Sequence, residues 1–283
     1  MKYQRYIQLL LIAIILVCLF NIKIETFEND EYYNKNLDNV DKVYAKLYNI
    51  VFNEKFIYDY DVSKITPTLK KNSNILDAGT GTGKYYEYFF KNHKIVGVDM
   101  SKDMLKYAKI RCPIGNFIVG NLKNSELFQP KEFTHVLCLL DTLYHNDYQD
   151  QAKILKNFYD WLQPGGYLFV HIFDYNKLIP TPRNYSTMYV DDSKNLHSYT
   201  EFQNFNHDAF YVKNDNNVIY KEKFTMNKTG KTRFQATKLY IPLDKKRTVK
   251  QILEVGFKTV NIYKMDFYED TDIELFVFTP LKL

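Results

Sequence analysis

Five short, mostly apolar runs constrain the fold of this 283-residue chain more than any other feature: residues 75–76, 95–98, 117–119, 136–140 and 167–173. Each is too short for a stable helix, and none alternates polar with apolar as a strand with one wet face would. Runs of this kind suit strands covered on both faces, as in a parallel sheet with helices above and below. The segments between them fit that reading. In SKDMLKYAKI, Ser101 stands where an N-cap is needed, with Met104, Leu105 and Ala108 on one helical face. Residues 157–162 close another helix, and Pro164-Gly165-Gly166 turns the chain into the next strand. Beyond residue 177 the texture changes. VIYKEKFTM and TRFQATKLYI alternate with period two around a glycine-containing connection at 227–231, which predicts an antiparallel hairpin. TVKQILEVGF predicts a helix ending at Gly256, followed by strands at 259–263 and 273–278. The expectation is an α/β, doubly wound sheet with an antiparallel end and an antiparallel insertion over residues 177–242.

The N-terminus has a different composition. Lys2 and Arg5 precede an almost wholly apolar stretch, IQLLLIAIILVCLF, at residues 7–20. With its flanks it approaches the ~17–25 residues that cross a bilayer, and no small-residue cleavage site follows it. Residues 1–24 are expected to be an uncleaved single-pass anchor, making the protein membrane-associated; a cleaved signal peptide and a buried helix are the alternatives. Lys23 beyond the run offsets the charges before it, so the orientation stays open. Residues 25–39 are polar and acidic and read as a tether. VDKVYAKLYNIVF then places Val40, Val43, Tyr44, Leu47, Tyr48 and Val51 at helical spacing, opening a folded domain expected to cover 40–283. A net charge of +5 and only short basic clusters give no nucleic-acid footprint. Cys18, Cys112 and Cys138 have neither metal-ligand nor disulfide spacing.

Between the first apolar run and its following helix lies ILDAGTGTGKY, with glycines at 79, 81 and 83. So little side-chain bulk lets the backbone take positive φ and lets a ligand approach closely. Asp99, 22 positions after Asp77, ends the next strand. At the switch point of a doubly wound sheet the ends of neighbouring strands meet, so Asp77, the loop and Asp99 share one crevice. An acid at the second strand's end suits ribose hydroxyls. A dinucleotide loop has the spacing G-x-G-x-x-G, whereas the third glycine here comes one residue early. Asp77 ahead of the loop repels pyrophosphate but accepts a ligand carrying an ammonium and a sulfonium.

ILDAGTGTG, then VGVDMSKDMLKYAK, VGN at 119–121, LCLLDTLYH at 137–145 and WLQPGGYLFVHI at 161–172 resemble, in order, the motifs of the class I S-adenosylmethionine-dependent methyltransferases. The resemblance covers residues 40–175. It implies a Rossmann-like seven-stranded sheet of order 3-2-1-4-5-7-6 with the last strand antiparallel, and S-adenosyl-L-methionine as cofactor. It further implies that Asp77, Gly79, Thr80, Gly81 and Gly83 wall the methionine part, that Asp99 holds the ribose, and that Met100 packs on the adenine, with Leu122 the apolar cofactor-side neighbour of Asn121. Asn121 stands where the family usually has an Asp for the adenine amino group, and Thr134 where an Asp commonly precedes the fourth strand. Leu140, Asp141 and Tyr144 would face cofactor and acceptor, with Tyr44 and Tyr48 as an aromatic cover.

S-adenosylmethionine is already an activated donor, so residues that align an acceptor or take its proton are the catalytic candidates. His145 and His171 lie at carboxyl ends of strands, and Tyr144 and Asp141 could orient an acceptor. His207 and Tyr211 are further candidates within the insertion. LLDTLY lacks the prolines of base-directed methyltransferases. The insertion, the helix ending at Gly256 and the closing strands resemble the small-molecule branch of the family, which implies a small or lipid-like acceptor; a protein acceptor and a catalytically silent binding module are the alternatives. If residues 1–24 anchor the chain, alkaline carbonate will release a form lacking them while the full chain stays with the membrane; equal release of both would contradict the anchor.

Overall fold

The computed structural model describes residues 32–34, 40–53, 55–178, 186–214, 217–264 and 273–281. The expected anchor, residues 1–24, lies outside them. Among the described residues no helix is long and apolar enough to cross a membrane. Within the stretch read as tether, the backbone of β1 (Tyr32–Asn34) is a strand. Helix α1 (Lys42–Val51) follows, started by Asp41, whose carboxylate accepts the Tyr44 N–H at 2.8 Å. Sequence periodicity does not announce α2 (Lys55–Ile65), because its buried face is Tyr58, Asp61 and Ile65, with an acid at its centre.

The next elements follow the predicted alternation: β2 (Asn74–Ala78), α3 (Lys84–Phe89), β3 (Lys94–Asp99), α4 (Lys102–Arg111), β4 (Asn116–Val119), β5 (Phe133–Cys138), α5 (Tyr148–Trp161) and β6 (Leu162–Phe173). Ser101 caps α4, and Met104, Leu105 and Ala108 are its buried residues. The turn at Pro164-Gly165-Gly166 interrupts rather than precedes β6: Gly165 has φ 77°, and the register against β5 shifts between Phe133 and His135. The insertion supplies β7 (Thr187–Val190), β8 (Leu196–Glu201), β9 (Phe205–Asn214), β10 (Asn217–Met226) and β11 (Thr232–Leu239). After it, α6 (Lys246–Val255) stops at Gly256, and β12 (Phe257–Lys264) and β13 (Ile273–Pro280) close the chain.

Seven strands form the main sheet in the order β4-β3-β2-β5-β6-β13-β12, which is the expected 3-2-1-4-5-7-6. β2 to β6 run parallel, and β13 is antiparallel to both β6 and β12. Successive residues of the inner strands belong to different cores. Leu76, Val136 and Leu168 pack with Phe158 and Trp161 of α5 and Ile252 of α6, whereas Ile75, Leu137 and Phe169 pack with Tyr58 of α2 and Tyr85 and Phe89 of α3. Two dry faces per strand are the reason the apolar runs lack alternation.

The second sheet has six strands in the order β1-β11-β10-β9-β8-β7, with β1 parallel to β11 and the rest antiparallel. The predicted hairpin is β10–β11; the strands β7 to β9 were not read from the sequence. Helix α1 is fastened to the second sheet on one side and to helices α3 and α4 on the other. Tyr44 donates to Glu222 at 2.6 Å and Arg233 pairs with Asp41 at 3.0 Å, while Arg111 reaches Asn49 at 2.8 Å and Lys84 donates to the carbonyls of Asn49 and Phe52.

Thr134 serves structure. Its hydroxyl accepts the Asn74 N–H at 2.9 Å and donates to the Asn74 carbonyl at 3.0 Å, tying the start of β2 to β5. Thr134→Val should lower unfolding free energy by ~1–3 kcal/mol in urea, because both backbone groups lose their partner.

Candidate functional site

A cavity of about 490 Å³ opens where the carboxyl ends of β2, β3, β5 and β6 meet the second sheet, within the ~300–1,000 Å³ usual for small-molecule pockets. Its first wall is the glycine loop. The Val98 carbonyl accepts the N–H groups of both Gly79 and Thr80, at 2.8 and 2.9 Å, which bends the chain sharply out of β2. Gly79 has φ 73°, and a Cβ there would overlap the Thr142 side chain. Gly81, at φ 53°, has open space above it, so a ligand can lie directly on the backbone.

Two acids frame the loop. Asp77 is 2% exposed and accepts the Thr80 hydroxyl at 2.5 Å. Burial pushes its carboxyl up to about 7, against the Thr80 bond and with some help from Asp99. Asp99 accepts the Gly81 N–H at 2.9 Å through one oxygen and the Ser101 N–H at 2.8 Å through the other. Burial raises its pKa, opposed by those two bonds and by His145. Each carboxylate oxygen keeps a further lone pair for a ligand hydroxyl. Met100 lines the same end and is 53% exposed. Leu122 lines it too, as does Asn121, whose side-chain oxygen already accepts the Lys123 N–H at 3.0 Å. Tyr44, Tyr48 and Leu140 complete this end of the cavity.

Asp141 and His145 stand at the mouth as an ion pair, with His145 Nε2 3.4 Å from the Asp141 carboxylate and the side chains 35% and 40% exposed respectively. Burial pulls the imidazole down, but Asp141 and Asp99 outweigh it, so His145 titrates above its ordinary value. Burial likewise pushes Asp141 up and is outweighed by His145, leaving it below the usual carboxylate range.

The other two catalytic candidates do not present a free group. Tyr144 has no exposed surface and does not line the cavity. Its hydroxyl accepts the Phe173 N–H at 3.3 Å and donates to the His171 carbonyl at 3.4 Å. It packs edge-on against Phe173, so its place is in the core. His171 reaches the cavity wall, but both ring nitrogens are engaged: Nδ1 accepts the Leu140 N–H at 2.9 Å, and Nε2 lies 3.1 Å from Asp61. From the insertion, Tyr211 reaches the cavity, whereas His207 is buried against Glu222 at 3.0 Å. Sequence reading missed Asp174, Tyr220, Thr237 and Tyr240, which also line it. The period-two pattern of β10 and β11 marks the inward faces carrying Tyr220 and Thr237, yet nothing local says what those faces look upon.

Residues 75–166 match a family model described as a methyltransferase domain. Over those residues, about a third of the chain, the sequence is that of a methyltransferase domain. Among curated proteins, the chain is 28% identical over 177 residues to phosphoethanolamine N-methyltransferase 3 of Arabidopsis thaliana, an alignment covering 58% of this chain and 35% of the plant protein. It is also 28% identical over 100 residues to a dTDP-3-amino-3,4,6-trideoxy-alpha-D-glucopyranose N,N-dimethyltransferase of Streptomyces venezuelae, covering 35% of this chain and 41% of that one. The chain thus spans well under half the length of these curated relatives. Among solved structures, Streptomyces venezuelae DesVI superposes with a TM-score of 0.63 at 19% identity, covering 86% of this chain and 100% of that one. The S-adenosylmethionine-bound amino pentose methyltransferase CalS10 of Micromonospora echinaspora gives 0.63 at 16% identity, covering 88% and 100%. At these identities the likeness is one of fold.

The raised pKa of Asp77 has a consequence for stability. A carboxyl whose folded pKa is lifted from 3.8 to about 7 binds a proton on folding between those values. The protonated fold is therefore fully stable below the unfolded pKa, and stability is lost as pH rises through about 7. Asp77→Asn should match wild type near pH 4 and exceed it at pH 8 by up to ~4 kcal/mol in urea unfolding, since each pKa unit is worth ~1.4 kcal/mol. Equal pH profiles for the two proteins would contradict the shift.

Proposed function

We propose that this chain transfers the methyl group of S-adenosylmethionine to a small-molecule acceptor, with an amine nitrogen as the receiving atom. The observation that carries this reading is the continuity of the cavity, which runs from the glycine loop and Asp99 to Tyr211 and Tyr220 on the second sheet. Cofactor and acceptor would share one chamber under an antiparallel cover. Asp99 and Asn121 would hold the ribose and adenine ends, and Asp77 would face the charged methionine end. The cofactor, when bound, supplies an activated methyl on a cationic sulfur. The protein's share is alignment and exclusion of water.

The relatives named above are N-methyltransferases by name, and the charges at the cavity mouth fit an amine. Methyl transfer to nitrogen moves a positive charge from sulfur to the acceptor. Asp141, held ionised beside His145, places a negative charge where that positive charge arrives. An amine that arrives protonated must first lose a proton, and His145 is the exposed imidazole at the mouth that can take it. The neutral amine then attacks the methyl carbon as the carbon–sulfur bond breaks. Of Asp141, Tyr144, His145 and His171, only Asp141 and His145 keep partly exposed side chains for this role.

Label transfer from methyl-tritiated S-adenosylmethionine to a panel of amines, alcohols and carboxylic acids tests the reading. Amines should be labelled. His145→Ala should lower kcat by ~10²-fold, the usual share of a general base, with cofactor affinity nearly unchanged. Wild-type kcat should fall toward lower pH, with a midpoint above the ordinary histidine value. Labelling of acids or alcohols but not amines would overturn the amine assignment; an unchanged His145→Ala enzyme would overturn the base.

A further inference from the structure

A buried chain of hydrogen bonds leads from helix α2 to the cavity wall. Asp61, with no side-chain exposure, sits 3.1 Å from Nε2 of His171, itself 1% exposed. Tyr85 of α3 donates its hydroxyl to the other Asp61 oxygen. Burial and the Asp61 charge both push that hydroxyl's pKa up, so it remains a donor. At the far side of the ring, Nδ1 lies 2.9 Å from the backbone nitrogen of Leu140. A backbone amide can only donate. Nδ1 must therefore be bare, the ring proton sits on Nε2, and Nε2–H donates to Asp61.

The residue at the end of this chain is unusual. Leu140 follows β5 with φ 53°, in the left-handed region that side-chain-bearing residues seldom occupy. Such a conformation persists only where the surroundings hold it. Leu140 lines the cavity, and the next residue is Asp141, from which a single 3₁₀ turn, Thr142–His145, leads to the imidazole at the mouth. The backbone turn at Leu140 thus sets both the cofactor wall and the direction from which Asp141 and His145 enter the site.

We propose that Asp61 and His171 are positioning residues, a buried carboxylate–imidazole relay that fixes Leu140 in its left-handed turn and thereby sets the cofactor wall and the Asp141–His145 pair. The inference rests on the cofactor reading above. His171 acts through Leu140 and does not take a proton from the acceptor. Asp61 acts one bond further back, by fixing the ring's tautomer and orientation.

Two replacements of His171 separate this role from mere core filling. Asn places its side-chain oxygen near the position of Nδ1 and keeps the bond to Leu140. Gln places its amide near Nε2, keeping Asp61 but leaving the Leu140 amide unpaired. His171→Gln should bind S-adenosylhomocysteine about tenfold or more weakly by calorimetry, as expected when a buried donor loses its acceptor. His171→Asn should stay within about threefold of wild type, although both variants melt at similar temperatures. Asp61→Asn should retain binding but speed hydrogen exchange at the Leu140 amide. The relay is overturned if the Asn and Gln variants lose affinity equally, if neither loses any, or if the Leu140 amide exchanges alike in wild type and Asp61→Asn. A ¹⁵N imidazole spectrum of the wild-type protein decides without any variant: a proton on Nε2 with Nδ1 bare is expected, and a proton on Nδ1 refutes the relay. If wild type binds no S-adenosylhomocysteine, the cofactor reading fails while the tautomer and exchange measurements still judge the relay.

Discussion

The site depends on one backbone oxygen. Strands β2 and β3 lie side by side in register, with Ala78 opposite Val98. As β2 ends, the Val98 carbonyl captures the next two amides, those of Gly79 and Thr80. Those two hydrogen bonds to one acceptor turn the chain sharply out of the strand, and the loop that follows takes positive φ at 79, 81 and 83, which glycines adopt without strain. The loop so formed ends with its Gly81 amide on the Asp99 carboxylate, the last residue of β3. Parallel pairing, the glycine loop and the placing of Asp99 beside it are consequences of one register.

Around this fixed point the rest of the chain closes the cavity. The β5 end contributes Leu140 and the Asp141–His145 pair, and the second sheet contributes tyrosines from above. Helix α1 joins the two halves. Its Tyr44 shares the Glu222 carboxylate with His207, and its capping residue Asp41 is paired with Arg233. The Tyr44–Glu222–His207 contacts are buried, and such contacts stabilise little but specify arrangement; the Asp41–Arg233 pair is half open to solvent. His207, considered from sequence as an acceptor contact, belongs to this fastening.

What could be read from the sequence follows from the range of the forces involved. The main sheet was legible because two dry faces leave uninterrupted apolar runs, and the loop because backbone geometry demands glycine there. Ser101 and Gly256 were legible as local caps. Strands β7 to β9 were not: β7 buries none of its residues, and the buried residues of β8 and β9 include His197, Ser198, Thr200 and His207, polar groups that break the apolar alternation. Helix α2 was missed for the same reason, since Asp61 interrupts its buried face. Tyr144 and His171 were assigned to catalysis from their place after strand ends, but strand ends do not reveal which hydrogen bonds a side chain will already have made. Long-range pairing, here 110 residues apart between Asp61 and His171, is invisible to any local pattern.

The central claim is that the loop and Asp99 form an S-adenosylmethionine site, not a dinucleotide site. Calorimetric titration of the chain with S-adenosylmethionine and with NADH, for wild type and Asp99→Ala, tests it most directly. The account predicts binding of S-adenosylmethionine by wild type, a loss of about tenfold or more in Asp99→Ala as a charge-assisted pair of hydrogen bonds disappears, and no binding of NADH. Absence of S-adenosylmethionine binding, or binding unchanged by Asp99→Ala, would contradict it.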